Sequence, residues 1–138
     1  MGKICILPTG SVEQHGHHLP LKVDHVCADA VATEAARLQA DKALVLPPVT
    51  YGYVHHVMDF PGSLNIHHEH FIHYCLDITK SLAYHGFKKI VLVNGHGSNH
   101  NLVDMVCAAH DGGDRRQLHL LQLVADAECG SRVREDVA

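Results

Sequence analysis

Ile90-Val91-Leu92-Val93-Asn94-Gly95-His96-Gly97-Ser98-Asn99 decides how the rest of the chain reads. Four apolar residues in succession are the pattern of a strand covered on both faces. The run breaks at Asn94-Gly95, and a helical pattern starts near Ser98 or Asn99. Glycines on both sides of His96 permit a tight turn and the close approach of another group. Strand, turn and helix start in this order put His96 at the carboxyl end of a strand, where open α/β sheets hold their ligands. A lone loop histidine would mean little. Here a second polar cluster, Glu13-Gln14-His15-Gly16-His17-His18, also follows an apolar strand-like run.

Outward from that stretch the chain alternates. Lys3–Leu7 reads as a short buried strand stopped by Pro8 and Gly10, and Thr9–Asp24 as a long polar loop. Ala28–Leu38 is an alanine-rich helix with Val31, Ala35 and Leu38 on its inward stripe. Ala43–Leu46 is a second strand, closed by Pro47-Pro48, and Thr50–Leu64 is another long loop. Glu69–His85 is the clearest helix, with Phe71, Cys75, Ile78 and Leu82 on one face and Gly86 at its end. Lys89–Val93 is the third strand. Asn101–Ala109 is a helix with Leu102, Met105 and Val106 inward, and Leu118–Val124 is a fourth strand candidate. Continuous apolar strands alternating with helices define an α/β protein with a parallel sheet covered on both faces. The loops after the first two strands are long and rich in Glu, His and Asp. In a parallel sheet all strand-to-helix loops share one edge, so Glu13, His15, Asp24, the Tyr51–Phe60 loop and His96 are expected to converge.

The 138 residues suit one domain with a real core. Hydrophobic content of 46% and charged content of 19% are those of an ordinary globular protein. No apolar run reaches membrane-span length, and no secretory signal is recognisable, so no membrane partner is expected. A net charge of −4 and the lack of Trp give no case for nucleic acid. The five cysteines are widely spaced without a Cys-x-x-Cys pair, which argues for a reducing cytoplasm and for small buried apolar side chains. Histidine, with 15 residues, is the compositional outlier.

Glu13 and His15 stand two apart in an extended segment, so both can face one side. With Asp24 and His96 they make a mixed carboxylate–imidazole set of the kind that suits Zn²⁺ or Mn²⁺. A shared carboxylate would favour two metals. A hydrogen-bonded polar pocket without metal fits the same residues. His55 and His56, in the second loop, are candidates for substrate contact or proton transfer.

Three stretches resemble the creatininase (creatinine amidohydrolase) family. They are Leu7-Pro8-Thr9-Gly10-Ser11-Val12-Glu13-Gln14-His15-Gly16-His17-His18-Leu19-Pro20 with Asp24, then Tyr51-Gly52-Tyr53 with Phe60-Pro61-Gly62-Ser63, then His85 through Asn99. They occur in order with compatible spacing and cover about residues 4 to 110. The resemblance implies a three-layer α/β/α sandwich with a mostly parallel sheet, usually in a homo-oligomer and often a hexamer. It implies a dinuclear Zn or Mn site that hydrolyses small, often cyclic, amides through a metal-held hydroxide. Matched position by position, Glu13, His15, Asp24 and His96 are metal ligands, with Asp24 as the bridge.

The chain departs from the family in two respects. Creatininase proper has a ligating glutamate two residues after the motif histidine, where this chain has Ser98. Other members carry a later glutamate in a His-Ala-Gly-Glu-like segment, which is not recognisable here; Glu128 is the nearest substitute. The expected organisation is a partial creatininase-like domain over residues 1–110, with an atypical tail over 111–138. The expected substrate is a small molecule other than creatinine. The contrasting expectation is an incomplete member that binds metal, a small molecule or a partner without turnover.

Overall fold

The computed structural model describes residues 2–111 and 117–122; Glu128 and Cys129 lie outside them. Seven elements follow in order: β1 (Ile4–Thr9), α1 (Val23–Leu38), β2 (Ala43–Val45), α2 (His68–Tyr84), β3 (Lys89–Asn94), α3 (His100–Asp111) and β4 (Gln117–Gln122). The strands form a four-stranded sheet in the order β2-β1-β3-β4. Every pairing is parallel, with Ile4 opposite Ala43 and Lys89, and Lys89 opposite Gln117. The α/β class and the parallel sheet are therefore as the apolar runs imply.

Alternation along the central strands sorts the helices into two layers. Cys5 and Leu7 of β1 and Ile90 and Leu92 of β3 face Phe71, Cys75 and Leu76 of α2 and Leu102, Val103 and Val106 of α3. Ile6 and Val93 face the other way, onto Ala28 and Ala32 of α1. That is a three-layer α/β/α arrangement. Cys5 and Cys75 are buried as small apolar side chains; burial pushes the Cys75 thiol up to about 12. Cys27, by contrast, is exposed.

Local details depart from the sequence reading for physical reasons. β1 runs through Pro8 to Thr9. Pro8 pairs with Val93 of β3, and its carbonyl accepts the Val49 N–H on the side where β2 has already ended. The missing proline donor therefore breaks no ladder bond. Helix α1 begins at Val23, so Asp24 lies in its first turn, not in the preceding loop.

The inward face of α1 is Asp24, Ala28 and Ala32, whereas Leu38 is 66% exposed and Val31 is also exposed. Close approach explains the choice. A Cβ on Gly95 would lie 2.4 Å from the Asp24 carbonyl oxygen and 3.1 Å from the Ala28 Cβ, so only small residues fit between α1 and the end of β3. In α3, Leu102 and Val106 are inward as expected, but Val103 completes the stripe and Met105 is 55% exposed.

Candidate metal centre

The ends of β1 and β3 and the first turn of α1 meet at the carboxyl edge of the sheet. Thr9 and Asn94 are paired across β1 and β3, and the Thr9 hydroxyl donates to Asn94 Oδ1 at 3.1 Å. The Asn94 amide then holds the backbone of the turn, with Nδ2 donating to the His96 carbonyl at 2.8 Å and Oδ1 accepting the His96 N–H at 3.3 Å. On the β1 side, the Glu13 N–H donates to the Leu21 carbonyl at 3.0 Å, and the Gln14 N–H to the buried Ser63 hydroxyl at 3.3 Å. These bonds tie the loop after β1 to itself and to the loop after β2.

Glu13, His15, Asp24 and His96 come together at the edge of the sheet, three from strand-to-helix loops and Asp24 from the first turn of α1. Asp24 is central. Its Oδ1 lies 2.9 Å from His15 Nε2, and its Oδ2 lies 2.8 Å from His96 Nδ1. Glu13 Oε1 is 3.3 Å from the same His96 nitrogen. The Ser11 hydroxyl donates to Asp24 Oδ2 at 2.6 Å. Ligand atoms of Glu13, His15 and Asp24 all lie within 4.8 Å of one another, and His96 Nδ1 is within ion-pair distance of both carboxylates. His96 and Asp24 are nearly inaccessible, at 3% and 6% exposure.

The protons on the two imidazoles are set by backbone carbonyls. His96 Nε2 is 3.0 Å from the Tyr53 carbonyl, and His15 Nδ1 is 3.2 Å from the Glu13 carbonyl. A carbonyl only accepts, so each of these nitrogens carries the proton, and a neutral ring turns its other nitrogen's lone pair toward Asp24. Two carboxylates and two lone pairs then converge with no Lys or Arg paired to them among the described residues. Glu13 Oε2 is buried without a hydrogen-bond partner. Such a donor set suits a cation, and the carbonyl-anchored histidines follow the pattern of metal-ligating imidazoles. The residues fit a divalent metal.

With protein groups alone, a proton takes the cation's place. Burial by itself would lower the His96 pKa. Hydrogen bonds with Asp24, Glu13 and the Tyr53 carbonyl, together with the Glu13 charge, raise it instead to about 10. Burial would likewise raise the Asp24 carboxyl. Hydrogen bonds from His96 and Ser11 and the charges of His96 and His15 bring it below its usual value.

His55 and His56 occupy a single 3-10 turn, His55–Val57, and both are exposed. The His56 ring lies nearly parallel to that of His96, 6.4 Å between centroids, whereas His55 stacks on Tyr53 at 6.4 Å. His56 is thus brought beside the cluster, and His55 is turned toward Tyr53. Ser98 lies in the Gly97–Asn99 turn between β3 and α3. The sequence reading missed Ser11, Tyr53, Asn94 and Asn99. Asn94 had a signal, being a polar residue that ends an apolar strand, but the others act through backbone groups or across distant loops.

A parallel three-layer α/β sheet with a carboxylate–imidazole cluster at its carboxyl edge places the chain among α/β proteins whose site is built from strand-end loops. A family model described as creatinine amidohydrolase matches residues 1–135, and the chain belongs to the creatininase family. It is 36% identical over 101 residues to a creatinine amidohydrolase of Pseudomonas putida, covering 70% of this chain and 38% of that protein. It is 36% identical over 139 residues to a mycofactocin precursor peptide peptidase of Mycolicibacterium smegmatis, covering 94% of this chain and 55% of that one.

Among solved structures, a creatininase described as the Mn form superposes with a TM-score of 0.81 at 29% identity, over 88% of this chain and 51% of that one. A mutant creatininase of the Zn-Zn type superposes with a TM-score of 0.76 at 30% identity, over 88% and 50%. The chain spans about half or less of the length of these relatives. Among the described residues, no helix is long and apolar enough to cross a membrane.

Proposed function

We propose that this chain carries the metal-binding part of a hydrolase that cleaves an amide-type C–N bond in a small molecule. Glu13, His15, Asp24 and His96 are the metal ligands, with Asp24 shared. The observation that carries this reading is the division of Asp24 between the two imidazoles, one oxygen to each. A carboxylate used in this way is the natural bridge of a two-metal site.

When bound, divalent Zn or Mn supplies Lewis acidity toward a carbonyl and acidity to a water. The chain's own residues do the rest. Ser11 and the two histidines hold Asp24 ionised. The Tyr53 and Glu13 carbonyls aim the imidazole lone pairs. His56, exposed beside His96, is placed to pass a proton between the site and solvent, for instance to a leaving nitrogen. His55, stacked on Tyr53, is the second candidate for that task. A cytoplasmic homo-oligomer belongs to the same reading, which rests there on the family and on the cysteine pattern.

Ser98 favours a second, weaker reading for one of the two metals. At the position where creatininase proper has a ligating glutamate, a neutral hydroxyl is a poor substitute, and a chain so built would turn over slowly or only bind. The test is the metal content of the purified protein, followed by hydrolysis assays on lactams, linear amides and short peptides. Peptides join the panel because the similarity to a precursor-peptide peptidase runs over 94% of the chain. Metal-dependent release of amine from any member supports the reading. A protein that binds neither Zn²⁺ nor Mn²⁺ overturns it.

A further inference from the structure

Asn99 is fully buried as the last residue of the Gly97–Asn99 turn, just before α3 and three residues beyond His96. Its side chain joins the loops after all three of the first strands. Nδ2 donates to the Gly10 carbonyl after β1 at 3.0 Å, and Oδ1 accepts the Tyr53 N–H after β2 at 3.0 Å. The orientation of the amide is forced, since a carbonyl only accepts and an N–H only donates. The fit is close: a Cβ on Gly52 would lie 2.5 Å from the Gly10 carbonyl oxygen and 2.7 Å from both polar atoms of Asn99. Tyr53, whose N–H is held by Asn99, is the residue whose carbonyl takes the His96 Nε2 proton at 3.0 Å.

We infer that Asn99 is a positioning residue for the metal centre: by clamping Tyr53 against Gly10 it fixes the carbonyl that holds His96 with Nε2 protonated and Nδ1 directed at Asp24 and Glu13. The inference rests on the metal-centre reading above. Among the described residues the Asn99 side chain hydrogen-bonds to none of the four proposed ligand side chains; its bonds go to the backbone of Gly10 and Tyr53. It acts through one backbone residue, and its effect is on which His96 nitrogen is free and where that nitrogen sits. The same side chain holds the loop after β2 against Gly10, which keeps the turn bearing His56 beside His96.

Asn99→Asp keeps the shape of the side chain and the acceptor for the Tyr53 N–H, but it replaces the donor by a charged oxygen set against the Gly10 carbonyl, which pushes the two strand-end loops apart. The experiment is a Zn²⁺ titration of the parent protein and of Asn99→Asp, with the His96 tautomer read by long-range ¹H–¹⁵N correlation in the Zn-loaded state. The expected results are Nε2-protonated His96 in the parent and a Zn²⁺ affinity about 10- to 100-fold weaker in the variant, the usual cost of losing an outer support. A loss of packing alone would lower the unfolding midpoint without changing the His96 signals.

A folded Asn99→Asp protein with parental Zn²⁺ affinity and unchanged His96 signals overturns the inference while leaving the metal centre standing. A parent protein that binds no Zn²⁺ overturns both. If Asn99→Asp does not fold, the parent spectrum decides: zinc bound through His96 Nε2, with the proton on Nδ1, refutes the clamp.

Discussion

Asp24 stands between His15 and His96 and bonds to both, Oδ1 to the first at 2.9 Å and Oδ2 to the second at 2.8 Å. The three side chains come from the loop after β1, the first turn of α1 and the loop after β3. Only the parallel sheet brings them to one edge, so the fold is a precondition of the site.

The first prediction concerns the metal-free protein and pH. His96 has a folded-state pKa raised to about 10 from an ordinary 6.5. Its contribution to stability is therefore complete below about 6.5 and is lost as pH rises through 10. The Asp24 carboxyl is depressed, so its contribution is present above its ordinary value and lost as pH falls through the folded one. Urea midpoints of the chelator-treated protein are expected to fall between pH 7 and 10. A His96→Gln variant is expected to lose most of that alkaline decline, and an equal decline in both would count against the assignment.

Metal loading follows from the same charge. A cation entering the cluster must displace the His96 proton, so binding near pH 7 is expected to release about one proton per cluster. Calorimetric titration with Zn²⁺ in two buffers of different ionisation enthalpy measures this directly. Heats that do not depend on the buffer would contradict it.

Ser98→Glu tests the departure from creatininase proper. A carboxylate in the Gly97–Asn99 turn is expected to strengthen the proposed second metal site by roughly tenfold or more, since a charged oxygen replaces a neutral one. Equilibrium dialysis against Mn²⁺ gives the stoichiometry. Two equally tight sites in the unsubstituted protein would show that another residue already supplies the ligand, with Glu128 the first to examine.

Gly95→Ala probes how α1 delivers Asp24. The added methyl would meet the Asp24 carbonyl oxygen, and backbone must shift to admit it. The expected cost is about 1–3 kcal/mol in unfolding free energy. Weaker metal binding should accompany it, because the helix turn that moves carries Asp24, the proposed shared ligand. Gly97→Ala is the control: a Cβ there meets nothing within 4 Å.

Much of this was legible in the sequence because short apolar runs closed by Pro or Gly, as at Leu7-Pro8, Leu46-Pro47 and Asn94-Gly95, read as covered strands, and parallel strands gather their following loops at one edge. The convergence of Glu13, His15, Asp24 and His96 follows from those two facts. The inward face of α1 was not legible. Burial normally selects Val31 and Leu38 over alanine, but the approach of α1 to Gly95 reversed that preference. Pro8 read as a stop because its missing donor matters only where a neighbouring strand is present, and β2 ends too early to need it. The Asn99 clamp joins residues 46 and 89 positions away through backbone groups, which leave no side-chain pattern to read.

Sharing of Asp24 between metals is tested by a calorimetric Zn²⁺ titration of the protein and of Asp24→Asn, with unfolding checked in parallel. Asparagine preserves the size of the side chain and removes the shared charge. The parent is expected to bind at least one Zn²⁺ tightly, and the folded variant to lose more than tenfold in affinity. Undiminished affinity and stoichiometry in Asp24→Asn would contradict the shared role of Asp24.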